Sequence, residues 1–142
     1  MKSINRLVLA GAVLATSIVH ANADSTAWVS GDAFYDAIAP FMMKRMEPAD
    51  LAVRIRGGKA EFRMSFGPDT GPFSFNVYPT HSRAAANDLI QMHAEAENLI
   101  GGPSRLCLHK FARAVDGDKE HYLLYLVDEE QSGFRCISLP TN

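Results

Sequence analysis

Residues 51–66, LAVRIRGGKAEFRMSF, leave a chain little freedom in how it folds. Apolar and polar residues alternate on both sides of Gly57-Gly58. A period of two is the signature of a half-buried strand, and a Gly-Gly pair tolerates the positive φ that a two-residue hairpin turn requires. The register follows directly. With Arg56 opposite Lys59, Ile55 pairs with Ala60, Val53 with Phe62 and Leu51 with Met64 on one face, while Arg54 meets Glu61 on the other. A slip of one residue would turn both apolar rows to solvent. The loop GPDTG then leads into PFSFNVYP, and pairing Phe66 with Phe73 sets Phe75 beside Met64 and Val77 beside Phe62. This predicts a three-strand antiparallel meander with one apolar face.

Helices flank it. SGDAFYDAIAPFMMKRM predicts a first helix capped by Ser30, with Asp32 in its first turn and a stripe of Phe34, Ile38, Phe41, Met42 and Met46. Pro40 predicts a kink or a break into two short helices near Ala39, and Glu47-Pro48 the end. THSRAAANDLIQMHAEAENLIGG predicts a second helix, capped by Thr80 or Ser82 and stopped at Gly101. Its stripe of Ala85, Leu89, Met92, Ala96 and Leu99 is expected to cover the meander. Three further antiparallel strands are expected in SRLCLHKFARAV, KEHYLLYLV and GFRCISL, with turns at Asp116-Gly117 and in DEEQSG. The middle one is apolar on both sides, which places it centrally and covered on both faces. The fold class is α+β, in the order helix, three-strand meander, helix, three strands, as a single domain over 24–142.

The first 23 residues read as a secretory signal. Lys2 and Arg6 precede an apolar run from Leu7 to Val19, and Ala21-Asn22-Ala23 offers a cleavage site. That run falls short of the roughly 20 residues a membrane span needs. The expected location is therefore periplasmic or secreted, with no membrane span. Without Lys2 and Arg6, 12 basic residues face 16 acidic ones, a net charge of about −4 that disfavours general nucleic-acid binding. Export into an oxidising space predicts a disulfide between the two cysteines, Cys107 and Cys136. The bridge conflicts with a simple meander. There the two cysteines would flank the middle strand, opposite Leu126 and Tyr125, about 9.6 Å apart, and disulfides rarely exceed about 7 Å between Cα atoms. The last strand is thus expected to leave the meander and lie next to SRLCLHKF, or to fold across its end.

Motifs with chemistry are sparse. Four histidines follow the signal, His81, His93, His109 and His121, and no pair has a metal-ligand spacing in the sequence. A Cys107–His109 nucleophilic pair would lose its thiol to the disulfide. Met42, Met43 and Met46 read as core rather than a copper box, and DGDKE as a solvated turn rather than a calcium loop. No catalytic residue, metal ligand or cofactor is expected. Charge, however, is segregated. Arg54, Arg56, Lys59, Arg63, Asn76 and Tyr78 belong to the outer face of the expected first sheet, and Asp116, Asp118, Glu120, Asp128, Glu129 and Glu130 to loops of the second half. Candidate binding residues are Arg54, Arg56, Arg63, Tyr78, Asp116, Asp118, Glu129 and Glu130. The function expected is an exported protein that docks on or inhibits another protein, as immunity proteins and enzyme inhibitors do. The alternative is a small periplasmic enzyme or ligand carrier using histidines and carboxylates of the second sheet.

Overall fold

The computed structural model describes residues 24–68, 74–95 and 105–141. The hairpin forms in the register that alternation dictates. Strand β1 (Glu47–Arg56) pairs with β2 (Lys59–Gly67) around Gly57 and Gly58, at φ 59° and 72°. Arg56 faces Lys59, Ile55 faces Ala60, Val53 faces Phe62 and Leu51 faces Met64. Ala60, Phe62, Met64 and Phe66 are buried, and the residues between them are partly exposed.

The expected third strand of this sheet goes elsewhere. The free edge of β2 is taken by the stretch Asp24–Val29. Thr26 N–H donates to the Met64 carbonyl (2.9 Å), Val29 and Phe62 exchange backbone bonds (3.0 and 2.7 Å), and Phe66 N–H donates to the Asp24 carbonyl (2.7 Å). The Thr26 hydroxyl accepts from Met64 N–H at 3.1 Å. With that edge filled, β3 (Phe75–Thr80) pairs with a distant strand in a second sheet ordered β3-β5-β4, where β4 is Leu106–Asp116 and β5 is Lys119–Asp128. Phe75 lies opposite Val127 and Val77 opposite Tyr125, rather than beside Met64 and Phe62. Phe73 lies outside the described residues.

Helix α1 (Phe34–Met43) begins later than the Ser30 cap implies, because Ser30 closes a preceding turn, its carbonyl accepting Ala33 N–H at 3.2 Å. The helix also runs through Pro40 without a break. Proline removes the bond to the Asp36 carbonyl, but both residues are exposed, so solvent can stand in for the missing donor. Phe34 and Ile38 are buried and Phe41 stacks on Phe66 with ring centroids 4.4 Å apart, whereas Met42 and Met43 face solvent. Arg45, at φ 54°, reverses the chain, Met46 N–H bonds back to the Phe41 carbonyl (3.1 Å), and β1 starts at Glu47.

Strand β5 is the middle of its sheet and is buried from His121 to Asp128. Its side chains alternate between two cores. Leu123, Tyr125 and Val127 meet Phe62, Met64, Phe66, Phe34 and Ile38 in the layer shared with the hairpin and α1. Tyr122, Leu124 and Leu126 meet Leu106, Leu108 and Ala86 on the opposite face, beneath helix α2 (Arg83–Glu95). The order of layers is therefore hairpin, three-stranded sheet, α2. The second helix does not cover the first sheet. Its inward face is also rotated from the expected stripe: Ala86 is buried with Leu89 and Ile90 against it, while Ala85 and Met92 are exposed. Ser82 caps it by accepting Ala85 N–H at 3.0 Å. Ala96, Leu99 and Gly101 lie outside the described residues.

The β4–β5 turn centres on Gly117-Asp118, with Gly117 at φ 64°, so Asp116 pairs with Lys119. A bulge between Leu108 and Lys110 then places Cys107 opposite Val127, not Leu126. After β5 comes a short helix, α3 (Glu129–Ser132), capped by the Asp128 carboxylate and ended by Gly133 at φ 71°. GFRCISL is not a strand. The bulge at His109 breaks the spacing of backbone groups along β4, and the tail meets that strand through one backbone bond, Ile137 N–H to the Leu108 carbonyl at 2.7 Å. Cys136 nevertheless reaches Cys107, as expected of a tail lying along β4. The two are joined with Cα atoms 5.6 Å apart. Among the described residues, no helix is long and apolar enough to cross a membrane. The signal sequence read at 1–23 lies outside them.

Two predictions follow from this packing. The disulfide closes a loop spanning 29 positions, so replacing both cysteines by serine lowers unfolding stability by about 3–4 kcal/mol through loop-closure entropy. Urea denaturation with and without reductant measures it, and the intact protein should resist alkylation until reduced. The Tyr125 hydroxyl is buried with no hydrogen-bond partner among the described residues. Tyr125→Phe is therefore neutral or stabilising by about 1 kcal/mol, because it removes a polar atom that has lost its water.

Candidate functional site

The inner face of the hairpin is committed to the core, which leaves its outer face to solvent. Alternation places Ala52, Arg54 and Arg56 there from β1, and Glu61, Arg63 and Ser65 from β2. Arg54 is held in place twice. Its Nε bonds the Glu61 carboxylate at 2.9 Å, and its guanidinium lies 4.3 Å from the centroid of the Trp28 ring. Trp28 comes from the stretch that fills the β2 edge, so the backbone pairing of residues 24–29 is what brings the ring over the hairpin. Beside it lies a shallow trough of about 400 Å³, lined by Ser25, Trp28, Asp50, Leu51, Ala52, Arg63 and Ser65. Arg56 is exposed at the hairpin tip with Lys59. Three of the expected basic residues thus share one surface, and the sequence reading missed the tryptophan that organises it. Its only signal was position: Trp28 lies two residues before Ser30, in a stretch without periodicity.

The other expected binding residues do not join them. Tyr78 and Asn76 belong to β3, in the second sheet. The Tyr78 hydroxyl lies 2.7 Å from His93 Nε2 of α2. Burial holds the Tyr78 phenol above its ordinary pKa and the His93 imidazole below its own, so both favour the neutral forms that share this bond. Asp116 and Asp118 sit at the β4–β5 turn. Glu129 and Glu130 begin α3, beside Arg105 and Asp128. These two acidic groups lie at opposite ends of β5, roughly 30 Å apart for a strand of this length. They form no common acidic surface.

Electrostatics are tightest at the start of β5. The Glu120 carboxylate accepts from Arg83 Nε at 2.7 Å and also pairs with Arg113. The Arg83 hydrogen bond above all holds its pKa below the ordinary glutamate value. One residue on, His121 is 8% exposed and its Nδ1 lies 3.0 Å from Nδ1 of His81. Burial and then the neighbouring His81 lower the His121 pKa. His109 stacks on Phe134 with ring centroids 4.4 Å apart, and its Nδ1 lies 3.3 Å from the Arg135 carbonyl. Among the described residues, neither His109 nor His121 has a hydrogen bond to a carboxylate, which is the arrangement an acid–base site on the second sheet would need. The open groove against α1, about 300 Å³ between Tyr35, Ile38, Ala39 and Met42 and the β3 residues Asn76 and Val77, is lined by no histidine or carboxylate among the described residues. Among the described residues, the one three-residue group with metal-ligand types at close range, Cys107, Glu129 and Cys136, has both its thiols spent in the disulfide.

No protein family, curated protein or solved structure matches this chain.

Proposed function

We propose that the chain is an exported binding domain that docks on, or inhibits, another protein through the outer face of the β1–β2 hairpin. The observation that carries this reading is the Arg54–Trp28 pair, braced by Glu61 beside an open trough. Tryptophan and arginine are the residue types that most often dominate interface energetics, and holding their side chains in advance reduces the ordering cost of association. Arg56, Lys59 and Arg63 give the face a basic rim, so the partner surface is acidic. The disulfide and the absence, among the described residues, of a helix able to cross a membrane fit an exported setting. Inhibitor-type and immunity-type proteins work in this way, by covering a partner's surface with a rigid face rather than by chemistry of their own.

The test compares the parent protein with Arg54→Ala and Arg56→Glu variants as baits in crosslinking and pulldown from periplasmic and neighbouring-cell extracts. A partner captured by the parent should bind the Arg54→Ala variant about 30-fold more weakly, a loss of about 2 kcal/mol, with the melting temperature little changed. Arg56→Glu should slow association and reduce its salt dependence. Equal capture by all three proteins, or no partner for the folded parent, contradicts the reading.

A further inference from the structure

His81 and His121 stand 40 positions apart in sequence and meet where the end of β3 lies beside the start of β5. His121 begins the buried run of β5, with its ring directed to the hairpin side. His81 follows the last residue of β3, paired with β5 through Thr80 opposite Tyr122. Strand pairing therefore fixes both Cα positions, and packing fixes the His81 ring. It meets the Phe62 ring edge-to-face with centroids 5.6 Å apart, and it lies close over Gly31. A Cβ on Gly31 would come within 2.8 Å of His81 Nε2. The two rings stand nearly perpendicular, at 78°, with their Nδ1 atoms 3.0 Å apart.

We propose that this pair is a two-imidazole site for a divalent late transition metal, with Cu²⁺ the tightest and Ni²⁺ next. Two nitrogen donors 3.0 Å apart, at metal–nitrogen bonds of about 2.0–2.1 Å, subtend an angle of about 90–97° at a shared ion. That is the cis angle of square-planar and octahedral coordination, which imidazole gives to Cu²⁺ and Ni²⁺. In the free protein the Nδ1–H of one ring donates a hydrogen bond to Nδ1 of the other. On metal binding that ring carries its proton on Nε2, so both Nδ1 lone pairs become available. Among the described residues, no third histidine, cysteine or carboxylate donor lies close enough to complete the set. The remaining positions go to water on the side where His81 is exposed.

The test uses the untagged full protein and Cu²⁺ alone, followed by calorimetry and electron paramagnetic resonance. One equivalent should bind with hyperfine coupling from two imidazole nitrogens. His81→Ala and His121→Asn should each weaken binding at least about tenfold, and His93→Ala should leave it unchanged. Because His121 is buried and its replacement can disturb the fold, the exposed His81 variant decides, provided its circular dichroism matches the parent. Unchanged Cu²⁺ affinity in folded His81→Ala, or no saturable binding by the parent, overturns the proposal.

Discussion

Everything in this fold leans on β5 being buried from both sides. A strand reading HYLLYLV cannot face water, and the molecule solves this by giving its odd and even residues different partners. Leu123, Tyr125 and Val127 call for an apolar layer on one side, which the hairpin and α1 supply. Tyr122, Leu124 and Leu126 call for another, which α2 supplies. Each of the leucines and the valine contributes about 1.5–3 kcal/mol when fully buried, so the strand ties the two cores into one cooperative unit. The β3-β5-β4 order follows, because a strand needing cover on both faces also needs neighbours on both edges.

The candidate binding face is a consequence of that arrangement. Once the inner face of the hairpin is spent on β5, its outer residues are free to carry Arg54, Arg56 and Arg63 on a backbone too well anchored to yield. The residues Asp24–Val29 do two things at once: they satisfy the open edge of β2 and deliver Trp28 to Arg54. At the other end, the disulfide pins a tail that has one backbone bond to β4. Where regular pairing ran out, a covalent link holds the chain.

Local constraints were legible in the sequence, and non-local choices were not. Gly57-Gly58 fixes the β1–β2 register because a two-residue turn leaves one alignment that buries both apolar rows. The double-sided apolar run of β5 announces a central strand by itself. Nothing local says which segment fills the second edge of β2, and the first apolar candidate in sequence, residues 73–80, was the wrong one. For α2, the run Ala84-Ala85-Ala86 allows more than one inward face, and the choice of Ala86 depends on which sheet the helix covers. The turn at Gly117-Asp118 shifts the β4 partners by two and the bulge at His109 takes one back, so Cys107 meets Val127, a change that no composition reveals. The basic half of the proposed site lies on the hairpin and was readable for that reason. Trp28 and the His81–His121 pair arise from long-range pairing and were not.

Native-state hydrogen exchange tests the central role of β5 most directly. If β5 unites both cores, the amides of Tyr122 through Val127 exchange only by global unfolding, with the same free energy as denaturant unfolding, and the inner amides of β2 share that value. Exchange of the β5 amides through a smaller opening, while the hairpin amides stay protected, would contradict it and show that the hairpin layer stands without the strand.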